Sequence, residues 1–96
     1  MLREFLVHVE IDVPTSVQPE EVADLRARER EVAALLAGRG NLVRLWRVPG
    51  KWANWGLWRA ADESELDTLL SRLPLRRYMT LDVHPTEPHP SDPATL

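Results

Sequence analysis

The segment LWRVPGKWANWGLW, residues 45–58, decides the fold of this chain. Pro49 and Gly50 in its middle predict a turn, because proline suits the second turn position and glycine accepts the positive φ of the third. Residues on both sides alternate as they do in β-strands, so we expect a hairpin with strands over roughly 42–48 and 52–60. This hairpin holds all four tryptophans of the chain.

The alternation places polar groups among large apolar ones. One face of the predicted hairpin carries these residues before and after the turn: Val43, Leu45, Arg47, Trp52, Asn54, Gly56 and Trp58. Burying an unpaired polar group costs about 1–3 kcal/mol. Arg47 and Asn54 must therefore find partners inside the fold or serve a ligand.

The chain before the hairpin predicts one strand and one helix. Residues 5–13 alternate between apolar and polar side chains, which is typical of a half-buried strand. Pro19 is followed by two acids and marks a helix start. We expect this helix to reach about Ala37, with Gly38 or Gly40 as its left-handed cap.

The chain after the hairpin predicts a second helix and a last strand. Asp62 or Ser64 is a suitable N-cap, and Pro74 forces a stop. The final strand is expected over residues 78–83. Four leucines form the apolar face of this helix: Leu66, Leu69, Leu70 and Leu73.

The predicted element order is βαββαβ, which indicates an α+β, ferredoxin-like fold: a four-stranded antiparallel sheet with both helices on one face. We expect this domain to span residues 1–84. Residues 85–96 hold four of the eight prolines and are predicted to form a C-terminal arm. The sheet face away from the helices would carry tryptophans, so we expect another subunit of a homo-oligomer, or an arm exchanged between subunits, to cover it.

Composition excludes several classes of protein. With 96 residues and a net charge of −3, the chain predicts one domain without general affinity for nucleic acid or an anionic membrane. It has no cysteine, and its three histidines are scattered, so no metal site is predicted. No basic leader or long apolar run is present, which predicts a soluble cytoplasmic protein.

Glu29 is the unusual residue of the first helix. At about 100° per residue it lies within about 20° of Val22 and Leu36 on the apolar stripe, so its carboxylate is predicted to face the sheet. Four charged residues are interpreted as solvated at the sides of the helix or on its outer face: Arg26, Arg28, Arg30 and Glu31.

Glu29, Arg47, Lys51, Asn54 and Tyr78 together are suited to proton transfer. Partial burial raises the pKa of a carboxylate, which can then take and return a proton, while a cation and an amide stabilise an oxyanion. The structural alternative is a buried ion pair between Glu29 and Arg47, with Tyr78 packed beside it.

Several short motifs occur in order along nearly the whole chain, and together they carry a family resemblance. They are Val13-Pro14, Glu29-Arg30-Glu31, Leu45-Trp46-Arg47, Gly50, Ala53-Asn54, Leu73-Pro74-Leu75, Tyr78-Met79 and His89-Pro90-Ser91. In this pattern the chain resembles the muconolactone isomerase family. The resemblance implies a ferredoxin-like fold, a homo-oligomer built from dimers, with a decamer as one candidate, and no cofactor.

The resemblance also implies a reaction, the isomerisation of muconolactone to 3-oxoadipate enol-lactone. Glu29 matches a family glutamate and is the candidate base, with Arg47 and Tyr78 as its catalytic partners. Arg47 would hold the substrate carboxylate or lactone oxygen, and Tyr78 would donate a hydrogen bond. Lys51, Trp52 and Asn54 are the candidate substrate-binding residues.

Two departures from the family pattern keep the substrate open. Lys51 and Trp52 stand where histidine and tyrosine are expected, and Arg76-Arg77 replaces an apolar residue followed by proline. A chloromuconolactone dehalogenase or related lactone-processing enzyme is therefore an alternative. A cofactor-free oxygenase of the same fold and a non-catalytic binding module are the other two.

Overall fold

The computed structural model describes residues 2–95, in which four strands and two α-helices follow the predicted order. The elements are β1 (Arg3–Ile11), α1 (Pro19–Gly38), β2 (Leu42–Arg47), β3 (Ala53–Ala60), α2 (Glu63–Leu70) and β4 (Met79–Pro85). Two short 3₁₀ turns, Arg76–Tyr78 and Pro93–Thr95, complete the description. The ferredoxin-like α+β prediction is confirmed.

Strand β1 lies in the middle of the sheet, whose order is β2-β3-β1-β4. It pairs antiparallel with both neighbours, and Val7 stands opposite Gly56 of β3 and Val83 of β4. Since side chains alternate along each strand, one face of β1 presents Phe5, Val7 and Val9 to the core.

The core lies between this face and both helices. Buried side chains from α1 and α2 join those of β1 and β3 in one cluster, so the two helices cover the same face of the sheet. The cluster consists of Phe5, Val7, Val9, Leu36, Trp58, Ala60, Leu66, Leu69, Leu70 and Leu73.

Helix α1 ends one residue later than predicted, at Gly38. The residue that takes the left-handed conformation is Gly40, with φ of +83°. Its backbone N–H donates to Ala37 and the Asn41 N–H donates to Leu36, both at 3.0 Å, which is the hydrogen-bond pattern of a Schellman cap. Gly40, not Gly38, is therefore the cap.

Helix α2 is capped by Asp62, the first of the two predicted candidates. Asp62 Oδ1 accepts the Glu65 backbone N–H at 2.8 Å, and Glu65 Oε1 accepts the Ala61 N–H at 3.0 Å. The helix ends at Leu70, well before Pro74, because residues 71–75 form tighter turns.

The hairpin differs from its prediction at two places. Gly50 has the expected positive φ, +77°, but β3 begins at Ala53, so Trp52 lies in the connecting loop. The register with β3 also shifts between Leu42 and Arg44, which breaks the predicted alternation at Val43. Such a bulge depends on the partner strand, so the alternation of side chains along one strand does not predict it.

The four tryptophans have three different environments. Trp58 is buried in the core and its indole lies across Gly56, where an added Cβ would meet Trp58 Nε1 at 2.6 Å. Trp46 and Trp55 are paired across the hairpin on the sheet face away from the helices. Trp52 is half-buried on the helix side of the molecule.

The C-terminal region begins along the edge of β1. Strand β4 runs to Pro85, and the Thr86 N–H and hydroxyl both donate to the Glu4 carbonyl at 3.0 Å. Residues 86–95 are exposed, and the division at residue 84 stays a prediction. Within residues 2–95, no helix is long and apolar enough to cross a membrane.

Candidate active site

A cavity of about 570 Å³ opens between α1, the hairpin loop and the segment before β4. We call it the Glu29 cavity. Its lining residues are Ile11, Arg26, Glu29, Arg30, Ala33, Leu45, Arg47, Lys51, Trp52, Ala53, Asn54 and Leu75. Three elements that are distant in the sequence therefore meet at one concave surface.

Glu29 is half-buried in the wall that α1 contributes. Its Oε1 accepts the backbone N–H of Leu75 at 2.9 Å. Burial raises the pKa of the Glu29 carboxyl above its ordinary value, and the hydrogen bond from Leu75 opposes part of that rise. The carboxylate is thus held in place and is a stronger base than an exposed glutamate.

Glu29 forms no ion pair with any residue in 2–95, although cations line the same cavity. The structural alternative of a Glu29–Arg47 ion pair is therefore not what the structure contains. A carboxylate without a cationic partner keeps its raised pKa, because a neighbouring cation in contact would lower it.

Four cations surround this single carboxylate: Arg26, Arg30, Arg47 and Lys51. Lys51 Nζ lies 3.9 Å from Glu10 Oε1, a long pair with both side chains exposed. The Arg26 guanidinium lies 4.2 Å from the centre of the Trp52 ring, which is a cation–π arrangement. The cavity can therefore attract an anion and offer it an aromatic wall.

The hairpin positions Arg47 and Asn54 next to each other. They are direct partners in the β2–β3 register, and both side chains line the cavity. A guanidinium and an amide supply several N–H donors at this edge of the sheet. Such donors can hold a carboxylate and stabilise negative charge on a neighbouring oxygen.

Tyr78 is the one predicted site residue that does not line the cavity. It lies in the 3₁₀ turn before β4, where its carbonyl accepts the Asp12 N–H at 2.9 Å and its N–H donates to Leu75. The Arg77 guanidinium lies 5.4 Å from the centre of its ring. The structure thus brings together Glu29, Arg47, Lys51, Trp52 and Asn54, and leaves Tyr78 outside this group.

Arg26 and Arg30 were interpreted from sequence as solvated residues, and the structure places both at the cavity. They are exposed, so the description as solvated was right and the functional interpretation was incomplete. Arg26 precedes Glu29 by three residues and Arg30 follows it directly. Their place at the cavity depends on where the hairpin loop lies against α1, which the pattern of the helix alone does not show.

Comparisons with known proteins agree with this geometry. The family profile described as muconolactone delta-isomerase matches residues 3–92. The muconolactone delta-isomerase of Cupriavidus pinatubonensis is 37% identical over 87 residues, which cover 91% of this chain and 95% of that protein. The Pseudomonas aeruginosa enzyme of the same name is 32% identical over 93 residues, covering 92% and 97%.

A solved structure gives the same result in three dimensions. The crystal structure of a muconolactone isomerase superposes with a TM-score of 0.86 at 32% sequence identity, covering 97% of this chain and 95% of that one. The resemblance inferred from the short sequence motifs is confirmed. This chain belongs to the muconolactone delta-isomerase family.

Proposed function

We propose that the protein isomerises muconolactone to 3-oxoadipate enol-lactone without a cofactor, in the degradation of catechol. As a member of its family, the chain is an intramolecular isomerase. One observation carries the assignment of the chemistry: the half-buried Glu29, which has no ion pair within residues 2–95, faces a cavity that is otherwise lined by cations, apolar groups and Asn54. This combination suits an anionic substrate from which a proton must be moved.

The proton transfer is assigned to Glu29. In the proposed step the Glu29 carboxylate takes the ring proton γ to the conjugated lactone carbonyl, and the electron pair of that C–H bond spreads into a dienolate. The proton is then delivered to the α carbon, so the double bond moves and no atom is gained or lost. The raised pKa of Glu29 supports both proton transfers, because the group must first accept the proton and then release it.

Substrate binding is assigned to the hairpin and its loop. Arg47 would hold the substrate carboxylate or the lactone oxygen, with Asn54 donating a hydrogen bond beside it. Lys51 and Trp52 would line the opening of the Glu29 cavity, where Lys51 would attract the substrate by its charge and Trp52 would contact it with its ring. The proposed catalytic role of Tyr78 stays a prediction, since its side chain does not line the cavity of the single chain.

The test is the ultraviolet absorbance change on adding catalytic amounts of protein to muconolactone, with chloride release followed on the 5-chloro analogue. Turnover of muconolactone without loss of chloride from the analogue supports the isomerase. Chloride release as the main activity would favour the dehalogenase, in which the dienolate expels chloride. Oxygen uptake would indicate the oxygenase, and inertness towards every lactone would leave only a binding module.

We also propose that the protein is a homo-oligomer built from dimers, with a decamer as the candidate size. The sheet face away from the helices supports this proposal. Trp46 is 41% exposed there, and His8, Trp55 and His84 form an adjoining aromatic cluster with ring centres 4.6 and 6.0 Å apart. Such a surface is typical of an interface between subunits.

Light scattering after gel filtration tests the assembly. We expect a mass that is an even multiple of the chain mass, and a smaller mass for Trp46→Glu. Leu35→Glu is the matched control, because Leu35 is similarly exposed but lies on α1. A monomeric wild type would contradict the proposal. The cytoplasmic location expected from the sequence stays a prediction.

A further inference from the structure

A second cavity, of about 490 Å³, lies on the other side of the segment that joins α2 to β4. Its rim carries four arginines: Arg28, Arg72, Arg76 and Arg77. We call it the arginine cavity. Among the described residues it shares no lining residue with the Glu29 cavity, so it is a separate surface.

The charge at this cavity is not balanced by the chain itself. Within residues 2–95, neither aspartate nor glutamate lines it. Arg28 forms an ion pair at 3.1 Å with Asp24, which lies four residues earlier on α1. Arg72, Arg76 and Arg77 form no ion pair with any described residue. Four guanidinium groups at one concave surface repel one another, and an anion bound between them would remove that repulsion.

The floor of the cavity has a different character from its rim. Leu25 and Leu73 lie beneath the arginines but expose only 2% and 6% of their surfaces, so the apolar part that a ligand can touch is the half-buried Pro74 together with the aliphatic stems of the arginines. Arginine suits such a site, because its planar guanidinium binds a carboxylate through two N–H groups and is only weakly hydrated. A ligand that fits both parts has an apolar body and acidic groups around it.

We propose that the arginine cavity binds a small organic polyacid, an apolar ring or chain bearing two or more carboxylates. Its apolar body rests on Pro74 and the aliphatic stems of the arginines, and its carboxylates pair with Arg72, Arg76 and Arg77. The site is distinct from the Glu29 cavity, and the described part of the chain gives it no carboxylate that could act as a base, so it binds this ligand without converting it.

Calorimetric titration of the full chain with benzene-1,3,5-tricarboxylate at low ionic strength tests the proposal, since exposed charges are only weakly screened there. We expect the wild type to show a binding site whose dissociation constant rises at least tenfold in the double variant Arg76→Gln/Arg77→Gln. The double variant Arg3→Gln/Arg39→Gln changes the net charge equally at exposed positions outside both cavities and should bind within twofold of wild type.

Further variants separate this site from the Glu29 cavity and from loss of folding. Arg47→Gln should keep the site, whereas Arg72→Gln, outside the 3₁₀ turn, should weaken it at least threefold. Circular dichroism establishes that each variant is folded. The proposal is overturned if the wild type does not bind the tricarboxylate, if Arg76→Gln/Arg77→Gln binds it normally, or if Arg47→Gln abolishes binding. Tighter binding of inorganic pyrophosphate than of the tricarboxylate would overturn the assignment of an apolar body.

Discussion

The Glu29 cavity and the arginine cavity lie on opposite sides of one short segment, and both are lined by four cations. Among their differences, one decides what chemistry each can support. One contains a half-buried carboxylate held by the Leu75 N–H, and the other contains no acid among the described residues. Cations alone are sufficient to attract an anion, but moving a proton requires a base.

The difference also shows how the fold produces that base. Glu29 lies on the apolar stripe of α1, so packing of the helix against the sheet removes it from water and raises its pKa. Arg28 is the next residue back, faces the other cavity and is exposed. One position along a helix, about 100°, therefore separates the proposed catalytic cavity from the proposed binding cavity.

Replacing the carboxylate should leave the Glu29 cavity, like the arginine cavity, with cations but without a base. Glu29→Gln keeps the shape and the acceptor for the Leu75 N–H but removes the base, so we expect kcat to fall by about 10²–10⁴-fold. Affinity for a substrate analogue should stay within a few fold, because the four cations are unchanged. Steady-state kinetics and a competitive-inhibition assay measure the two quantities.

Glu31→Gln is the matched control for that variant. Glu31 is exposed on the same helix and does not line the cavity, so its replacement should leave kcat unchanged. Equal losses in the two variants would mean that the Glu29 effect comes from the helix and not from the site.

Removing a cation should weaken binding while the base remains. We expect Arg47→Gln to lower kcat/KM by about 10–100-fold, since a hydrogen bond to a charged group contributes about 1.5–3 kcal/mol. Arg44→Gln is the control, because Arg44 lies on the same strand but on the other face of the sheet. Its guanidinium lies 4.9 Å from the centre of the Trp46 ring. If both variants kept wild-type kinetics, Arg47 would have no part in the site.

The pH dependence of activity should reveal the raised pKa of Glu29. A base must be ionised to act, so kcat/KM should fall about tenfold per pH unit below the pKa of this group. Because burial raises that pKa, the midpoint should lie above the ordinary glutamate value of about 4.3. A pH–rate profile measures the midpoint, and a value at or below 4.3 would show that another group titrates.

The smallest expected effect is on stability. A carboxyl whose pKa is raised by folding contributes stability that is fully present below its unfolded pKa and is lost as pH rises through its folded pKa. Relative to wild type, Glu29→Gln should therefore gain stability as pH rises from the ordinary glutamate pKa of about 4.3 through the raised pKa that Glu29 has in the folded protein. Urea unfolding at equal protein concentration measures this, and a difference that does not change with pH would contradict the expected burial effect.

Local patterns were sufficient to predict most of the fold. The alternation in β1, the proline at the start of α1 and the leucines of α2 each describe the side chains of one element, and those elements formed as expected. The bulge at Val43 and the exclusion of Trp52 from β3 were missed, because both depend on how two strands register against each other.

The candidate site was predicted only in part, for a similar reason. Glu29 interrupts an apolar stripe, which is visible in the sequence. Arg26 and Arg30 are ordinary exposed residues on α1, and their place at the cavity depends on where the hairpin loop lies against the helix. Tyr78 was expected in a strand, but the chain forms a 3₁₀ turn there and the side chain stays outside the cavity.

Proton exchange followed by nuclear magnetic resonance tests the central claim most directly. Muconolactone is incubated in D₂O with wild-type protein or with Glu29→Gln, and the signals of the γ and α protons are recorded over time. If Glu29 takes the γ proton, wild type converts the substrate, and the variant leaves the γ proton signal intact on the same timescale. Loss of the γ proton at the wild-type rate in Glu29→Gln would show that another group is the base.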